Sequence, residues 1–123
     1  MTKHSKVNIA EKFSQIPEIE KPHIVADVND FQVKLSKLKG PFVWHHHEHE
    51  DELFLIAKGQ LRMKFRDGDV ILNEGEMIVV PHGVEHCPEA DEETHVVLFE
   101  RNTTLNTGNV RNEKTVETLE RLS

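Results

Sequence analysis

Cysteine is nearly missing from this 123-residue sequence: Cys87 is the single one. An internal disulfide needs two, so no cross-linked framework holds the chain, and a reducing, cytoplasmic setting is expected. Tyrosine is absent, tryptophan occurs once and aromatics make up 6%, so large stacking surfaces are scarce. Positive charge is the minority, with 15 Lys and Arg against 22 Asp and Glu and a formal net charge of −7. Clustered cations are what neutralise phosphates, so nucleic acid is not an expected partner. The same acidity disfavours an anionic membrane surface. No apolar run approaches the ~18 residues of a membrane span, and no signal-peptide pattern opens the sequence. The length fits one domain, burying roughly two-thirds of its unfolded surface in one core.

What is abundant is histidine, concentrated in one place. His45-His46-His47-Glu48-His49-Glu50-Asp51-Glu52 puts four imidazoles and four carboxylates in eight positions, directly before Leu53-Phe54-Leu55. Imidazole with carboxylate suits borderline divalent metals. In a strand, alternate side chains share a face, so His45, His47 and His49 point one way and His46 the other. Two imidazoles one residue apart can then serve one metal, and Glu52, just past a polar bend, can reach back to it.

The rest of the sequence reads as short strands between turns. Asn8 is placed to cap a short helix with Ile9, Phe13 and Ile16 on one face, ended by Pro17. Ile24, Ala26 and Val28, then Asn29-Asp30, then Phe31, Val33 and Leu35 predict a hairpin. Phe42 to His47 reads as a strand carrying the first histidines, and Leu53 to Ala57 as a buried one. Gln60–Phe65 and Val70–Leu72 pair through Arg66-Asp67-Gly68-Asp69. Met77–Val80 ends at Pro81-His82-Gly83, and His95–Phe99 follows an acidic loop, Glu89–Glu93. Val116, Leu119 and Leu122 stand at helical spacing, predicting a short amphipathic helix over Thr115–Leu122. Short strands, regular turns and no central helix predict an all-β sandwich or barrel.

Gly40, His45, His47, Glu52 and Gly59 are spaced as in the first signature motif of the cupin superfamily, and Gly75, Pro81, Gly83 and His86 as in the second. Two multi-position motifs in order, separated by the fifteen residues between Gly59 and Gly75, resemble a small single-domain bacterial-type cupin over roughly residues 24–100. The sequence departs from the pattern at its last position, where Ala90 replaces the usual asparagine. The resemblance implies a conical antiparallel β-barrel of jelly-roll (double-stranded β-helix) type with short terminal helices. It divides the chain into an N-terminal extension (1–22), the barrel (23–101) and a C-terminal tail with a short helix (102–123). It implies one divalent metal ion per chain (Fe, Mn, Ni, Cu, Co or Zn) held by His45, His47, Glu52 and His86 inside the barrel. Glu52 has a further expected role, as a base when it partly leaves the metal. Small cupins commonly form homodimers, for which segments 5–22 and 115–122 are the expected contacts.

Other residues have plainer readings. His46 is expected at the surface or a dimer interface, and the bend before Glu52 leaves the direction of His49 open. Phe54, Met63 and Phe99 are core residues that can also line the pocket. His95 is either a pocket acid–base group or a core histidine, and His82 sits at a turn by the pocket mouth. Cys87 turns away from the metal as a buried, inert thiol. Arg62 and Lys64 face outward, so no inward cation is in view for a carboxylate or phosphate substrate. Two functions stay open: a mononuclear-metal enzyme of dioxygenase or isomerase/lyase type acting on a small oxygenated metabolite, or a non-catalytic module that senses or sequesters a small ligand with a structural metal.

Overall fold

The computed structural model describes residues 4–122. Its one helix, α1 (Ile9–Ser14), opens at Asn8, whose Oδ1 accepts the Glu11 amide at 2.9 Å. That bond satisfies one of the amides that a helix start leaves unpaired. Six residues are too few to hold a helix unaided; Phe13, and Ile16 just beyond the helix, anchor it by burial among Leu35, Val97 and Leu55.

Eight strands follow. β1 (His23–Val28) and β2 (Phe31–Pro41) form the expected hairpin, with Asn29 accepting a positive φ of 57° at the turn. β3 (Glu52–Lys58), β4 (Leu61–Phe65), β5 (Gly68–Leu72) and β6 (Met77–Val80) are short. β7 (His86–Arg101) runs for 16 residues and is the hub of the fold. It pairs antiparallel with β4 through His86–Glu89, with β2 through Glu89–Arg101 and with β3 through His95–Phe99. The sheet runs β5-β4-β7-β2-β1, with the two-residue β8 (Glu120–Arg121) beyond β1, and β3 joins β6 to β7. This is the nearly all-β roll the turn pattern predicted.

Both faces of the central strands are covered. One face gathers Leu38, Phe54, Ile56, Leu61, Met63, Leu72, Val80, Ala90, Val96 and Leu98 into the main core. The alternate residues Val33, Leu35 and Val97 pack under α1.

The structure corrects three expectations. The acidic stretch Glu89–Glu93 is part of β7 rather than a loop. Ala90 pairs with Gly40 and Thr94 with Leu38, so Asp91, Glu92 and Glu93 bulge out opposite Lys39. The charged side chains project from the bulge while the ladder resumes beyond it.

Phe42–His47 stays extended but is no regular strand, making one isolated bridge, His45 to His86. The next bonded pair would need an N–H from Pro88, which has none. Instead the Phe42 amide donates to the Pro88 carbonyl at 2.9 Å.

The tail forms no helix. Residues 102–119 run through turns, and β8 (Glu120–Arg121) adds to β1 in parallel. Thr115, Val116 and Thr118 are β-branched and weak helix formers. The open edge of β1 supplies a ladder instead, with the Leu122 amide donating to the Ile24 carbonyl at 2.9 Å. Leu122 thereby joins the cluster beneath α1. No helix of the described residues is long and apolar enough to cross a membrane.

Because α1 is held by Phe13, we expect Phe13→Ala to lower the unfolding free energy by about 3 kcal/mol. Urea unfolding followed by circular dichroism measures the loss.

Candidate metal centre

His45, His47, Glu52 and His86 each present one ligand atom, and these four atoms lie within 4.8 Å of one another. Three elements bring them together: the extended segment before β3, the first residue of β3 and the first residue of β7. All four residues are buried, at 0–4% exposure. His47 Nε2 lies 3.2 Å and His86 Nε2 3.5 Å from Glu52 Oε1. Yet His47 Nε2, His86 Nε2 and Glu52 Oε1 are all buried without a hydrogen-bond partner. Each such orphan costs about 1–3 kcal/mol. A divalent cation ligated by these atoms would satisfy all three, so the donor set fits a metal.

The backbone fixes how two of the rings present themselves. His45 Nδ1 lies 2.9 Å from the Val43 carbonyl, and His86 Nδ1 2.9 Å from the Val84 carbonyl. A carbonyl only accepts, so each Nδ1 carries the proton and each Nε2 is left with a bare lone pair. Burial first, and then the charge of His86, lower the His45 pKa to about 4. Burial works against the Glu52 carboxylate, but the Glu100 carboxyl and the His47 and His86 rings beside it outweigh that effect and hold its pKa well below the usual range. Both shifts favour the deprotonated, ligating forms.

Two buried residues beside the cluster were not anticipated. Lys34 and Glu100 are 1% and 2% exposed, and Lys34 Nζ donates to Glu100 Oε1 at 3.0 Å. Lys34 is therefore an inward cation, contrary to the expectation that there is none, but its ammonium is already bonded to Glu100. Glu100 also meets Glu52. Burial and then the Glu52 charge push its pKa well above the ordinary range, so it keeps its proton and donates to the Glu52 carboxylate. Parity counted from His86 along β7 points to Glu100, since every even residue from His86 to Glu100 is buried except Glu92 in the bulge. The acidic stretch, read as a loop, interrupted that count.

A cavity of about 40 Å³ adjoins the site, with Phe42, Phe54, Val96, Leu98, Glu52 and Glu100 among its walls. Phe54 lines it as expected, whereas the structure places Met63, His95 and Phe99 elsewhere. Met63 is fully buried in the main core. His95 and Phe99 are odd residues of β7 and lie on the opposite face. His95 stacks on Phe13 with ring centroids 4.5 Å apart and reaches Glu93 at 2.8 Å; Phe99 stacks on Phe31.

His46 faces out, its ring bonded to Glu85 and Glu48 at 3.0 and 2.7 Å, and those bonds raise its pKa. The bend at Glu48-His49 turns His49 to solvent. His82 is exposed and bonds Asp51. Cys87 is buried, and burial pushes its thiol pKa up.

Comparison with known proteins agrees with this geometry. The Cupin domain family (Cupin_2) matches residues 33–102. A cupin-2 domain containing protein from Shewanella frigidimarina is 43% identical with a TM-score of 0.77, covering 78% of this chain and 94% of that one. Protein NMB1881 from Neisseria meningitidis is 32% identical with a TM-score of 0.73, covering 80% and 100%. Among curated proteins, the uncharacterized protein YdbB of Bacillus subtilis is 33% identical over 73 residues, 56% of this chain and 65% of YdbB. A 3-hydroxyanthranilate 3,4-dioxygenase of Nematostella vectensis is 33% identical over 76 residues, 57% of this chain and 28% of that enzyme. An acireductone dioxygenase of Bacillus licheniformis is 33% identical over 78 residues, 59% of this chain and 44% of that enzyme. The chain thus spans less than two-thirds of each of these three relatives.

Two predictions follow from the buried charges. Unfolded, the His45 ring takes up a proton near pH 6.5, but folded only near pH 4. Its contribution is therefore complete above pH 6.5 and is lost as the pH falls towards 4. Metal-free protein should lose up to about 3 kcal/mol across that window, and His45→Gln should flatten the loss; urea unfolding at a series of pH values reads both. Glu100→Leu removes the hydrogen-bond partner of the buried Lys34 ammonium and should cost about 3–5 kcal/mol, only part of it regained in Lys34→Met/Glu100→Leu, where the Glu52 carboxylate loses its cation. Chemical denaturation of the two variants measures the difference.

Proposed function

The chain belongs to the cupin family, and from that premise we propose that it is a mononuclear-metal enzyme acting on a small oxygenated metabolite. The observation that carries the proposal is the convergence of His47 Nε2, His86 Nε2 and Glu52 Oε1, buried and without hydrogen-bond partners, beside His45. A divalent metal held by His45, His47, Glu52 and His86 would supply Lewis acidity towards an oxygenated ligand and, if redox-active, one-electron chemistry. Two curated relatives at 33% identity are named as dioxygenases, which makes dioxygenase chemistry our first choice and isomerase or lyase chemistry our second.

In this reading the protein's own residues divide the work. The Nδ1–H bonds of His45 and His86 orient their rings. Phe42, Phe54, Val96 and Leu98 keep bulk water from the cavity. Glu52 serves first as a ligand. If it leaves the metal to act as a base, the carboxyl that shares its proton is Glu100. Because Lys34 is engaged by Glu100, the proposed substrate is bound through its oxygens rather than through a negative charge met by a lysine.

A non-catalytic binding module is the alternative, favoured by the size of the cavity: about 40 Å³ admits only a few atoms without rearrangement. A cytoplasmic homodimer completes the proposal. Phe13 and Ile16 are already buried against the protein's own sheet, so the apolar side chains that segment 5–22 leaves exposed for that contact are Val7, Ile9 and Ile19.

The test is metal content by mass spectrometry on untagged protein beside His47→Ala/His86→Ala. We expect about one equivalent of a divalent metal, lost in the variant. Metal-dependent oxygen uptake with a panel of hydroxylated metabolites would then support the enzyme. Binding from that panel without turnover would favour the module, and no metal in either protein after reconstitution would refute the metal reading.

A further inference from the structure

The family match ends at residue 102, but the chain beyond it grips the ligand segment. On one edge, His45 exchanges both backbone hydrogen bonds with His86, at 2.9 and 3.0 Å. On the other, the His46 amide donates to Asn109 Oδ1 at 2.8 Å, and the His46 carbonyl accepts from the Asn109 amide at 3.0 Å. One asparagine thus supplies the donor and acceptor that a neighbouring strand would offer. Gly108, at φ 55°, presses on the same spot: a Cβ there would collide with the His46 carbonyl oxygen and lie 2.9 Å from His45 Cδ2.

The tail making these contacts is itself held. Thr107 is fully buried and bonds Thr115 at 2.7 Å, and Asn106 Oδ1 accepts the Val116 amide at 2.9 Å. Thr103 Oγ1 donates to Glu50 at 2.8 Å, close to Glu52 in sequence. Asn106 lines the inner cavity. His47 and Gly108 both line an open groove of about 220 Å³.

We propose that Gly108 and Asn109 are positioning residues for the metal ligands, and that residues 103–110 form a strap across this end of the barrel. The proposal rests on the metal reading. His46 lies between two ligands and shares a peptide plane with each, so rotating its backbone turns both the His45 and His47 rings. Metal–ligand distances tolerate only about 0.2 Å of error. Regular pairing ends at Pro88, and the strap supplies the constraint that a ladder would otherwise impose.

The test uses Co²⁺ as the probe, with full-length wild type, Asn109→Ala, Asn109→Asp and Gly108→Ala. Affinity is read by chelator competition and coordination by the visible spectrum of bound Co²⁺; thermal unfolding of the metal-free proteins reports folding. Asn109→Ala should weaken Co²⁺ binding about 10- to 100-fold, as loss of a group that orients a ligand commonly does, with an altered spectrum. Asn109→Asp keeps an acceptor for the His46 amide and should restore both. Gly108→Ala should show the larger spectral change. Variants that bind Co²⁺ with wild-type affinity and spectrum, even if less heat-stable, would overturn the strap while leaving the metal reading intact. Wild type that takes up no Co²⁺ would overturn both.

Discussion

A histidine offers Nε2 to a metal only while its proton sits on Nδ1, and in this protein the backbone holds it there. His45 and His86 each spend Nδ1–H on the carbonyl two residues earlier. For His45 that carbonyl is free because Pro88 cannot bond it across the strands. A proline in β7 thus leaves that carbonyl to a ring on another segment. The rest of the site depends on this. With both Nε2 lone pairs turned inward, His47 and Glu52 need only reach the same point to complete a donor set, and burial strengthens whatever cation they hold.

Charge explains why the neighbourhood is built as it is. A buried carboxylate ligand needs positive charge nearby, and a metal cannot supply it while the chain is still folding. Lys34, Glu100 and Glu52 form a set that is neutral without a metal: one ammonium, one carboxylate and one carboxylic acid. Glu100 bonds to both of the others and so links the lysine to the Glu52 carboxylate that balances its charge. Such an arrangement adds little net stability, because desolvating the ions consumes most of their attraction. What it adds is orientation. Glu52 has one oxygen facing the imidazoles, and its hydrogen bond with Glu100 resists rotation of the carboxylate away from them.

Much of this was legible in the sequence where one physical rule acted alone. Asn8 and Phe13 announced the helix, Asn29-Asp30 its hairpin, and the spacing of His45 and His47 their shared face. Legibility failed where two layers of structure overlap. Lys34 and Glu100 were not singled out because charge on a strand normally marks the wet side. β2 and β7 have no wet side, since α1 covers one face and the barrel interior lies on the other. Val116, Leu119 and Leu122 fit a helix by spacing, but the unpaired edge of β1 offered Leu122 a ladder bond that a local pattern cannot reveal. His95 and Phe99 stayed open between core and pocket for a related reason. The bulge at Asp91–Glu93 looked like a loop, and a loop erases parity, whereas this bulge preserves it.

The ligand segment shows why a site can sit where regular structure stops. A central strand would have been paired along both edges and held rigidly, but its ladder would have competed for the Val43 carbonyl that His45 Nδ1 now uses. An entirely free loop would have left that carbonyl available and the rings unplaced. The observed compromise is an extended segment with one bridge to His86 and one asparagine on its far edge. It retains strand parity, which separates His45 and His47 from His46, without a full ladder. The edge that β7 cannot supply comes from the tail, and Gly108 is the point of closest approach because any side chain there would displace the His46 carbonyl. The barrel brings the four ligands together, and residues outside the family-matched region help set their final alignment.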